Sequence, residues 1–259
     1  MTRARKPGRL AYWMRALGRE DLPARLEVSG RTLRHVATAK HDFWAATGFY
    51  EDHHGRRAVL KIYRTTHFAG APLRWLGRWQ CGREVGFYRH LHGVACVPAL
   101  VDRVADTAYL REFVAGRPLS GAHPVPHEFW PRLEAAMRAV HERGVAYVDL
   151  NKPENVLVGD DGHPYLFDFQ IAWRCAPRAR YGLGRWWLTR LQHEDHYHLL
   201  KHKRRFGRDA MTPAELTRVR RRSGLIRAYR VLNQPYRLVR RPLLRWLRRT
   251  GRILPSGSN

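Results

Sequence analysis

Residues 141–170 read HERGVAYVDLNKPENVLVGDDGHPYLFDFQ, and the interpretation of the whole chain starts from them. A short apolar step leads to Asp149, and a strand-type run follows at Asn155–Val158. Asp160–Gly162 has the composition of a hairpin turn, and the apolar return run ends on Asp168. The pattern therefore predicts a β-hairpin that carries two carboxylates and an amide at one end.

Two carboxylates and an amide are the set that phosphoryl transfer from Mg-ATP requires. The stretch resembles the catalytic loop and the Asp-Phe-Gly motif of protein kinases. Tyr147-Val148-Asp149 stands for His-Arg-Asp, Asn155 for the loop asparagine, and Asp168-Phe169-Gln170 for Asp-Phe-Gly. The resemblance implies that Asp149 is the catalytic carboxylate. It also implies that Asn155 and Asp168 hold Mg²⁺ beside the bound ATP.

The stretch departs from the kinase pattern at three positions. Five residues separate Asp149 from Asn155, where the kinase motif has four. Either the loop bulges by one residue, which we favour because the strand starts at Asn155, or Glu154 takes the metal position. Val148 replaces the arginine that would pair with a phosphorylated activation loop, and Gln170 replaces glycine. A purely structural hairpin with surface carboxylates is the alternative to the kinase interpretation.

A lysine inside an apolar run is the second feature that resembles a kinase. Residues 56–63 read RRAVLKIY, and Lys61 matches the strand lysine that binds the α- and β-phosphates. Glu84 lies 23 residues further on, in a helical segment, and is the predicted partner that orients Lys61. The alternatives are a snorkelling surface lysine and a solvated helix carboxylate.

Two further segments fit an ATP-binding lobe. Residues 109–116 resemble a kinase hinge, which implies that backbone groups of Glu112 and Val114 bind the adenine edge. Residues 32–40 and 44–50 predict a hairpin where kinases cover the phosphates, although the glycines of that loop are absent.

The composition limits the class of protein and its partners. The chain has 259 residues, 44% of them hydrophobic, so it can bury a real core. Three scattered cysteines indicate reduced thiols in a cytosolic protein. The net charge is +26, and residues 169–259 carry +19 of it, which attracts polyanions. The basic N-terminus lacks an apolar signal core, so no export is expected.

The region after Asp168 resembles protein kinases less. It has no Ala-Pro-Glu motif and is too short for a full protein-kinase C-lobe. A helix is predicted from about Trp186 to Phe206, with a His-rich stretch in which His198 and His202 could share a metal ion. The last segment has two apolar stripes flanked by arginines, which predicts helices that pack on their own domain or lie on a membrane surface.

Together these features predict an α+β, two-lobed, protein-kinase-like fold with a reduced helical C-lobe and a basic helical C-terminal tail. The predicted domains are a basic arm (1–30), an N-lobe (31–114), a C-lobe (115–210) and the tail (211–259). The arm is either a loose basic segment or an amphipathic helix on a membrane.

The resemblance is closest in character to the bacterial lipopolysaccharide core kinases, which implies an anionic sugar acceptor. A serine/threonine protein kinase with a protein substrate is the second interpretation, and a pseudokinase that binds membrane or nucleic acid is the third. We expect a cytoplasmic protein, peripheral at the inner face of the membrane.

Overall fold

The structure, a computed structural model, describes residues 12–68, 70–175 and 182–220. Within these ranges the chain divides into two compact units. Unit 1 contains residues 12–85 and 100–113, and unit 2 contains residues 86–99 and 114–220. The mixed α and β composition confirms the α+β class predicted from the sequence. The stripes predicted beyond residue 220 lie outside the described residues.

Unit 1 is built on a six-stranded antiparallel sheet with the strand order β1-β2-β3-β4-β6-β5. Its strands are β1 (Arg25–Val28), β2 (Arg31–His41), β3 (Ala45–Asp52), β4 (Arg57–Tyr63), β5 (Leu100–Ala105) and β6 (Ala108–Glu112). Helix α1 (Arg74–His90) begins in this unit. The predicted hairpin and the predicted lysine-bearing strand are confirmed as the β2–β3 pair and β4.

The N-terminal segment differs from the predicted independent arm over the residues that the structure describes. Leu17, Leu22 and Val28 are buried and belong to the core of unit 1. Arg64 is also buried, and its guanidinium donates to the carbonyls of Trp13 and Phe43, each at 2.9 Å. Apolar contacts and a buried arginine therefore fix this basic segment against the sheet.

In its described residues, unit 2 combines the end of α1 with two small sheets and three further α-helices. The sheets are β10-β9-β7 and β11-β8. The strands are β7 (Gly116–Pro118), β8 (Val145–Ala146), β9 (Val156–Gly159), β10 (Pro164–Leu166) and β11 (Trp173–Arg174). The helices are α2 (Phe129–Glu142), α3 (Leu183–Phe206) and α4 (Pro213–Arg220). Helix α2 buries one stripe at helical spacing: Phe129, Trp130, Leu133, Ala136, Met137 and Val140.

Helix α4 is the described part of the predicted tail, and it belongs to unit 2. A capping box precedes the helix, since Thr212 Oγ1 accepts from the Glu215 amide and the Glu215 carboxylate accepts from the Thr212 amide. Buried Lys203 of α3 binds both Glu215 (2.7 Å) and Glu134 (3.3 Å), which ties α4 to the other two helices. Among the described helices, none is long and apolar enough to span a bilayer.

Candidate active site

The hairpin of unit 2 brings two of the predicted site residues, Asn155 and Asp168, to one end. Strand β9 pairs with β10 so that Val156 lies opposite Leu166. Asn155 therefore directly precedes one strand, and Asp168 follows the other by two residues. The predicted turn closes the opposite end, where the Asp161 side chain accepts from the His163 amide at 2.9 Å.

The loop before this hairpin, residues 147–155, contains the predicted catalytic carboxylate in a tightly held backbone. Tyr147 is fully buried, and its hydroxyl donates to the carbonyl of Phe167. Val148 has φ +69° and ψ −37°, a region that a β-branched residue rarely adopts. The surrounding structure must therefore hold this backbone in place.

The side chain of Asp195 in α3 holds the backbone of this loop in place. Its side chain is fully buried, and its two oxygens accept the amides of Tyr147 (2.7 Å) and Val148 (2.8 Å). His141 Nε2 lies 3.0 Å from the same carboxylate. The sequence interpretation placed Asp195 in a His-rich cluster and gave it no role. Its place on the buried helix face, one turn before Leu199, was the available signal.

Asp149 is buried and is contacted by two donors from its own loop. Its Oδ2 accepts from Asn155 Nδ2 at 2.8 Å and from Lys152 Nζ at 2.6 Å. Burial raises the pKa of Asp149, and the nearby charge of Asp168 acts in the same direction, while Lys152 and Asn155 oppose the rise. The sequence interpretation gave Lys152 no role.

The extra residue of the loop is accommodated by two consecutive 3₁₀ turns, Asp149–Asn151 and Pro153–Asn155. Asn155 is buried against Asp149, whereas Glu154 is exposed. The bulge interpretation therefore agrees with the local geometry. Whether Asn155 binds a metal ion stays a prediction.

Asp168 adopts a left-handed backbone conformation, with φ +69° and ψ +62°, directly before a 3₁₀ turn at Phe169–Ile171. The next residue, Phe169, is fully buried and packs against Phe87, Tyr88 and Tyr147, with ring centroids 5.2–6.3 Å apart. This aromatic packing fixes the backbone at Phe169 and therefore restricts the position of the neighbouring Asp168 carboxylate.

In unit 1, Lys61 of β4 reaches Glu84 of α1. Lys61 Nζ lies 2.9 Å from Glu84 Oε2, and the two side chains are 12% and 0% exposed. The alternative of a snorkelling surface lysine is therefore wrong. The hydroxyl of buried Tyr63, two residues along the strand, donates to the same carboxylate. Lys61 Nζ also lies 5.1 Å from the centre of the Tyr63 ring.

The other predicted nucleotide-binding segments are the hinge around Glu112 and Val114 and the β2–β3 turn. Glu112 ends β6, and Val114 lies in the segment that follows. The Glu112 carbonyl accepts from the Arg111 guanidinium at 2.9 Å. In the β2–β3 turn the Asp42 side chain accepts the amides of Trp44 (2.8 Å) and Ala45 (3.0 Å). These amides bind a carboxylate of the chain itself, as in an Asx turn.

The His-rich part of α3 packs beside the 147–155 loop. His202 is buried, and its Nε2 lies within hydrogen-bond distance of the Leu150 carbonyl. Burial lowers the pKa of His202, so the ring is neutral at pH 7. Among the described residues, no group of three His, Cys, Asp or Glu side chains is arranged to hold a metal ion. The alternative in which His198 and His202 share an ion is not supported.

Comparison with known proteins gives short matches to protein kinases. No family model matches the chain. A serine/threonine-protein kinase of Arabidopsis thaliana is 58% identical over 40 residues, which cover 15% of this chain and 8% of that protein. Protein kinase G11A of Oryza sativa subsp. indica is 56% identical over 41 residues, covering 16% and 7%. KIPK1 of Arabidopsis thaliana is 38% identical over 71 residues, covering 27% and 7%.

Two solved structures are also similar. The Rio2 kinase of Chaetomium thermophilum, in its ADP/Mg²⁺-phosphoaspartate complex, has a TM-score of 0.47 at 17% identity, covering 62% of this chain and 52% of that one. The BubR1 kinase domain has a TM-score of 0.45 at 14% identity, covering 59% and 51%. The chain spans less than a tenth of the length of the curated relatives named above. The two compact units and the mixed α and β composition of the chain agree with the protein-kinase-like fold predicted from its sequence.

Proposed function

We propose that the chain is a phosphotransferase that moves the γ-phosphate of Mg-ATP to a hydroxyl group. The observation that carries this proposal is the buried Asp149 carboxylate, which contacts Asn155 and Lys152 in a loop anchored by Asp195. A buried, raised-pKa carboxylate in a fixed backbone suits the orientation of an acceptor hydroxyl and the acceptance of its proton. A structural hairpin would need none of these contacts.

Lys152 supports the same chemistry. Its ammonium lies 2.6 Å from Asp149, and about half of its side chain is exposed. A cation at this point would balance the negative charge that develops on the transferred phosphoryl group. Lys152 would thus stabilise the ionised form of Asp149 before the transfer and the phosphoryl oxygens during it.

Lys61 and Glu84 are proposed to act on the nucleotide. A lysine held by a buried carboxylate presents a fixed positive charge, and this suits the α- and β-phosphates. Asn155 and Asp168 would hold Mg²⁺, which supplies charge neutralisation at the phosphates when it is bound. Oxygen donors suit this ion. The Asn155 amide nitrogen is bonded to Asp149, which leaves its carbonyl oxygen as the donor for a cation.

The loop is proposed to work without phosphorylation of the following segment. Val148 stands where protein kinases have the arginine that pairs with a phosphorylated activation loop. The two amides bonded to Asp195 already hold this turn. Protein made without any other kinase, and confirmed by mass spectrometry to be unphosphorylated, is expected to turn over at its full rate. A rate that rises several-fold only after phosphorylation contradicts this part of the proposal.

The acceptor is proposed to be a lipopolysaccharide-type sugar at the inner face of the cytoplasmic membrane. The charge of residues 169–259 supports an anionic acceptor or an anionic surface. A protein hydroxyl is the second candidate, and the serine/threonine kinases among the curated relatives favour it. A pseudokinase that binds membrane or nucleic acid is less favoured, because the Lys61–Glu84 pair and the Asp149 contacts are both present.

The test is an ATP phosphotransfer assay with lipopolysaccharide, a generic protein substrate or water as the acceptor. Transfer to one acceptor that is lost in Asp149→Asn supports the enzyme and identifies the class of acceptor. Mg-dependent ATP binding without transfer to any of the three would favour the pseudokinase. Failure to bind ATP at all would reject the nucleotide site.

A further inference from the structure

The first two turns of α3 expose an apolar surface that the proposed chemistry does not use. Leu183 is 83% exposed, Trp186 59% and Trp187 39%. The two indole rings lie 6.0 Å apart with a tilt of 35°. Large apolar side chains clustered in this way usually mark an interaction surface.

These side chains share one side of the helix. Leu183, Trp186, Trp187 and Arg190 follow the spacing i, i+3, i+4 and i+7, which aligns them along a single face. The buried residues of α3 are all further along: Asp195, Leu199, Leu200, His202 and Lys203. The helix therefore packs in unit 2 through its C-terminal part, whereas its first turns are accessible.

The charge around this face is positive. Residues 183–192 contain Arg185 and Arg190 and no acidic residue. The first carboxylate beyond them, Glu194, is paired with Arg190 at 3.0 Å. An open groove of about 460 Å³ borders this face on the side of Trp186 and Arg190, and it is lined by Gly182, Arg185, Trp186, Thr189, Arg190 and His193. Its cationic lining suits phosphate groups.

We propose that this Trp/Arg face, defined as Leu183, Trp186, Trp187 and Arg190 with Arg185 across the adjacent groove, docks on the surface of an anionic lipid bilayer. Indole rings favour the boundary between headgroups and acyl chains, and arginine binds lipid phosphate. The net charge of +26 draws the whole chain towards such a surface. An exposed apolar stripe with arginines beside it suits a helix that lies on the bilayer surface.

The size of the face favours a bilayer over a protein partner. Three partly exposed side chains present roughly 300–400 Å² of apolar area. A standard protein interface buries about 800 Å² on each partner and needs a complementary shape. A bilayer requires neither, because its lipids adapt to the inserted side chains. The proposal is independent of the phosphotransfer reaction, since it concerns where the chain binds.

The test compares the full chain on vesicles of phosphatidylcholine alone and on vesicles that also contain phosphatidylglycerol. Trp186→Ala with Trp187→Ala is expected to weaken binding to the anionic vesicles by about tenfold or more. The matched control is Trp75→Ala with Trp79→Ala, two indoles that are 64% and 57% exposed on α1. The control should bind as the wild type does. An equal loss in both double variants would overturn the proposal.

A second variant excludes misfolding as the cause. Leu183 begins α3 and is already mostly exposed, so Leu183→Asp places a favourable negative charge at a helix N-terminus. Its thermal midpoint should not fall, yet its binding to anionic vesicles should weaken several-fold. Unchanged vesicle binding in this variant and in the Trp186/Trp187 variant overturns the proposal. The proposal is also overturned if these variants lose binding to a single-stranded oligonucleotide but keep binding to vesicles. That result would assign the face to nucleic acid.

Discussion

Glu84 and Asp195 are fully buried carboxylates, one in each unit, and they hold different parts of the chain. Glu84 accepts from two side chains of one strand, Lys61 and Tyr63. Asp195 accepts from two consecutive backbone amides, those of Tyr147 and Val148. The first carboxylate positions the ammonium group that is predicted to bind phosphates. The second fixes the backbone from which the predicted catalytic carboxylate projects.

Because the two carboxylates hold different groups, substitutions in the two units should impair different properties of the protein. Removing a contact to Glu84 changes the position of one side chain, and the strand beneath it keeps its ladder. Removing the contacts to Asp195 releases a backbone held at positive φ, so the whole 147–155 loop can relax. Unit 1 should therefore lose nucleotide affinity when it is perturbed. Unit 2 should lose turnover and stability together.

The largest expected effect is on turnover in Asp149→Asn. If Asp149 orients the hydroxyl and takes its proton, kcat should fall by about 10²- to 10⁴-fold. ATP affinity should change little, because Lys61 and the metal ligands are intact. Steady-state kinetics and isothermal titration measure the two quantities, with exposed Asp160→Asn as the control. A variant that retains most of its kcat would remove Asp149 from this role.

The next effect is that of Asp195→Asn, which tests the backbone anchor. An amide has one acceptor oxygen, so one of the two loop amides would lose its partner. We expect a loss of about 2–3 kcal/mol in the free energy of unfolding. A misplaced loop should also reduce kcat by up to about 100-fold. Chemical denaturation measures the loss of stability, and kinetics at a temperature where the variant is folded measure kcat separately. A normal kcat in the folded variant would show that Asp195 does not position the loop for turnover.

The sequence predicted the Lys61–Glu84 pair of unit 1, but it did not predict Asp195, the residue that holds the 147–155 loop of unit 2. Lys61 was recognisable because a lysine interrupts an apolar strand, and Glu84 because a helix follows at a suitable distance. Asp195 was not recognised, because its contacts span 47 and 48 residues and no local pattern encodes them. Tyr63 was also missed, because a tyrosine in a buried strand is equally consistent with simple packing.

The N-terminal segment shows a different limit of sequence interpretation. Arginines interleaved with apolar residues suggested an arm or a membrane helix, yet Leu17 and Leu22 enter the core. The basic residues there have local partners that the composition does not reveal. Arg15 contacts His41 at 2.7 Å, and the Arg19 guanidinium lies over the Tyr12 ring. The net charge of the chain therefore did not reveal how this one segment packs.

The third prediction tests the contact between Tyr63 and Glu84 in unit 1. Tyr63→Phe removes the hydroxyl that binds Glu84 and retains the buried ring. We expect a KM for ATP raised about three- to tenfold with kcat nearly unchanged, because only the orientation of Lys61 loosens. The matched control is Tyr50→Phe, whose hydroxyl donates to the Pro23 carbonyl at 2.7 Å. Tyr50→Phe should leave KM unchanged, and equal effects in both variants would assign Tyr63 to stability alone.

The fourth prediction concerns stability and pH. Since the folded-state pKa of Asp149 is raised above its unfolded value, the contribution of Asp149 to stability is fully present below the unfolded pKa, about 4, and is lost as pH rises through the folded pKa. At neutral pH the ionised carboxylate therefore costs stability. Asp149→Asn should unfold at the same temperature as the wild type or higher at pH 7, and this advantage should shrink in acid. A clearly lower midpoint at pH 7 would contradict the raised pKa.

The smallest expected effect decides which residue of the longer loop serves the metal ion. Glu154 is exposed, so Glu154→Gln should change the Mg²⁺ dependence of turnover by less than about twofold. Asn155→Ala should raise the Mg²⁺ concentration needed for half-maximal rate far more, because it removes the predicted ligand and a bond to Asp149. Asn155→Asp restores an oxygen ligand but places a second negative charge beside Asp149. It should therefore recover part of the metal affinity without recovering the full rate. If Glu154→Gln instead raises the required Mg²⁺ concentration more than Asn155→Ala does, the alignment of the loop with the kinase motif is wrong by one residue. The metal ligand would then be the exposed Glu154 carboxylate and not the buried Asn155 amide.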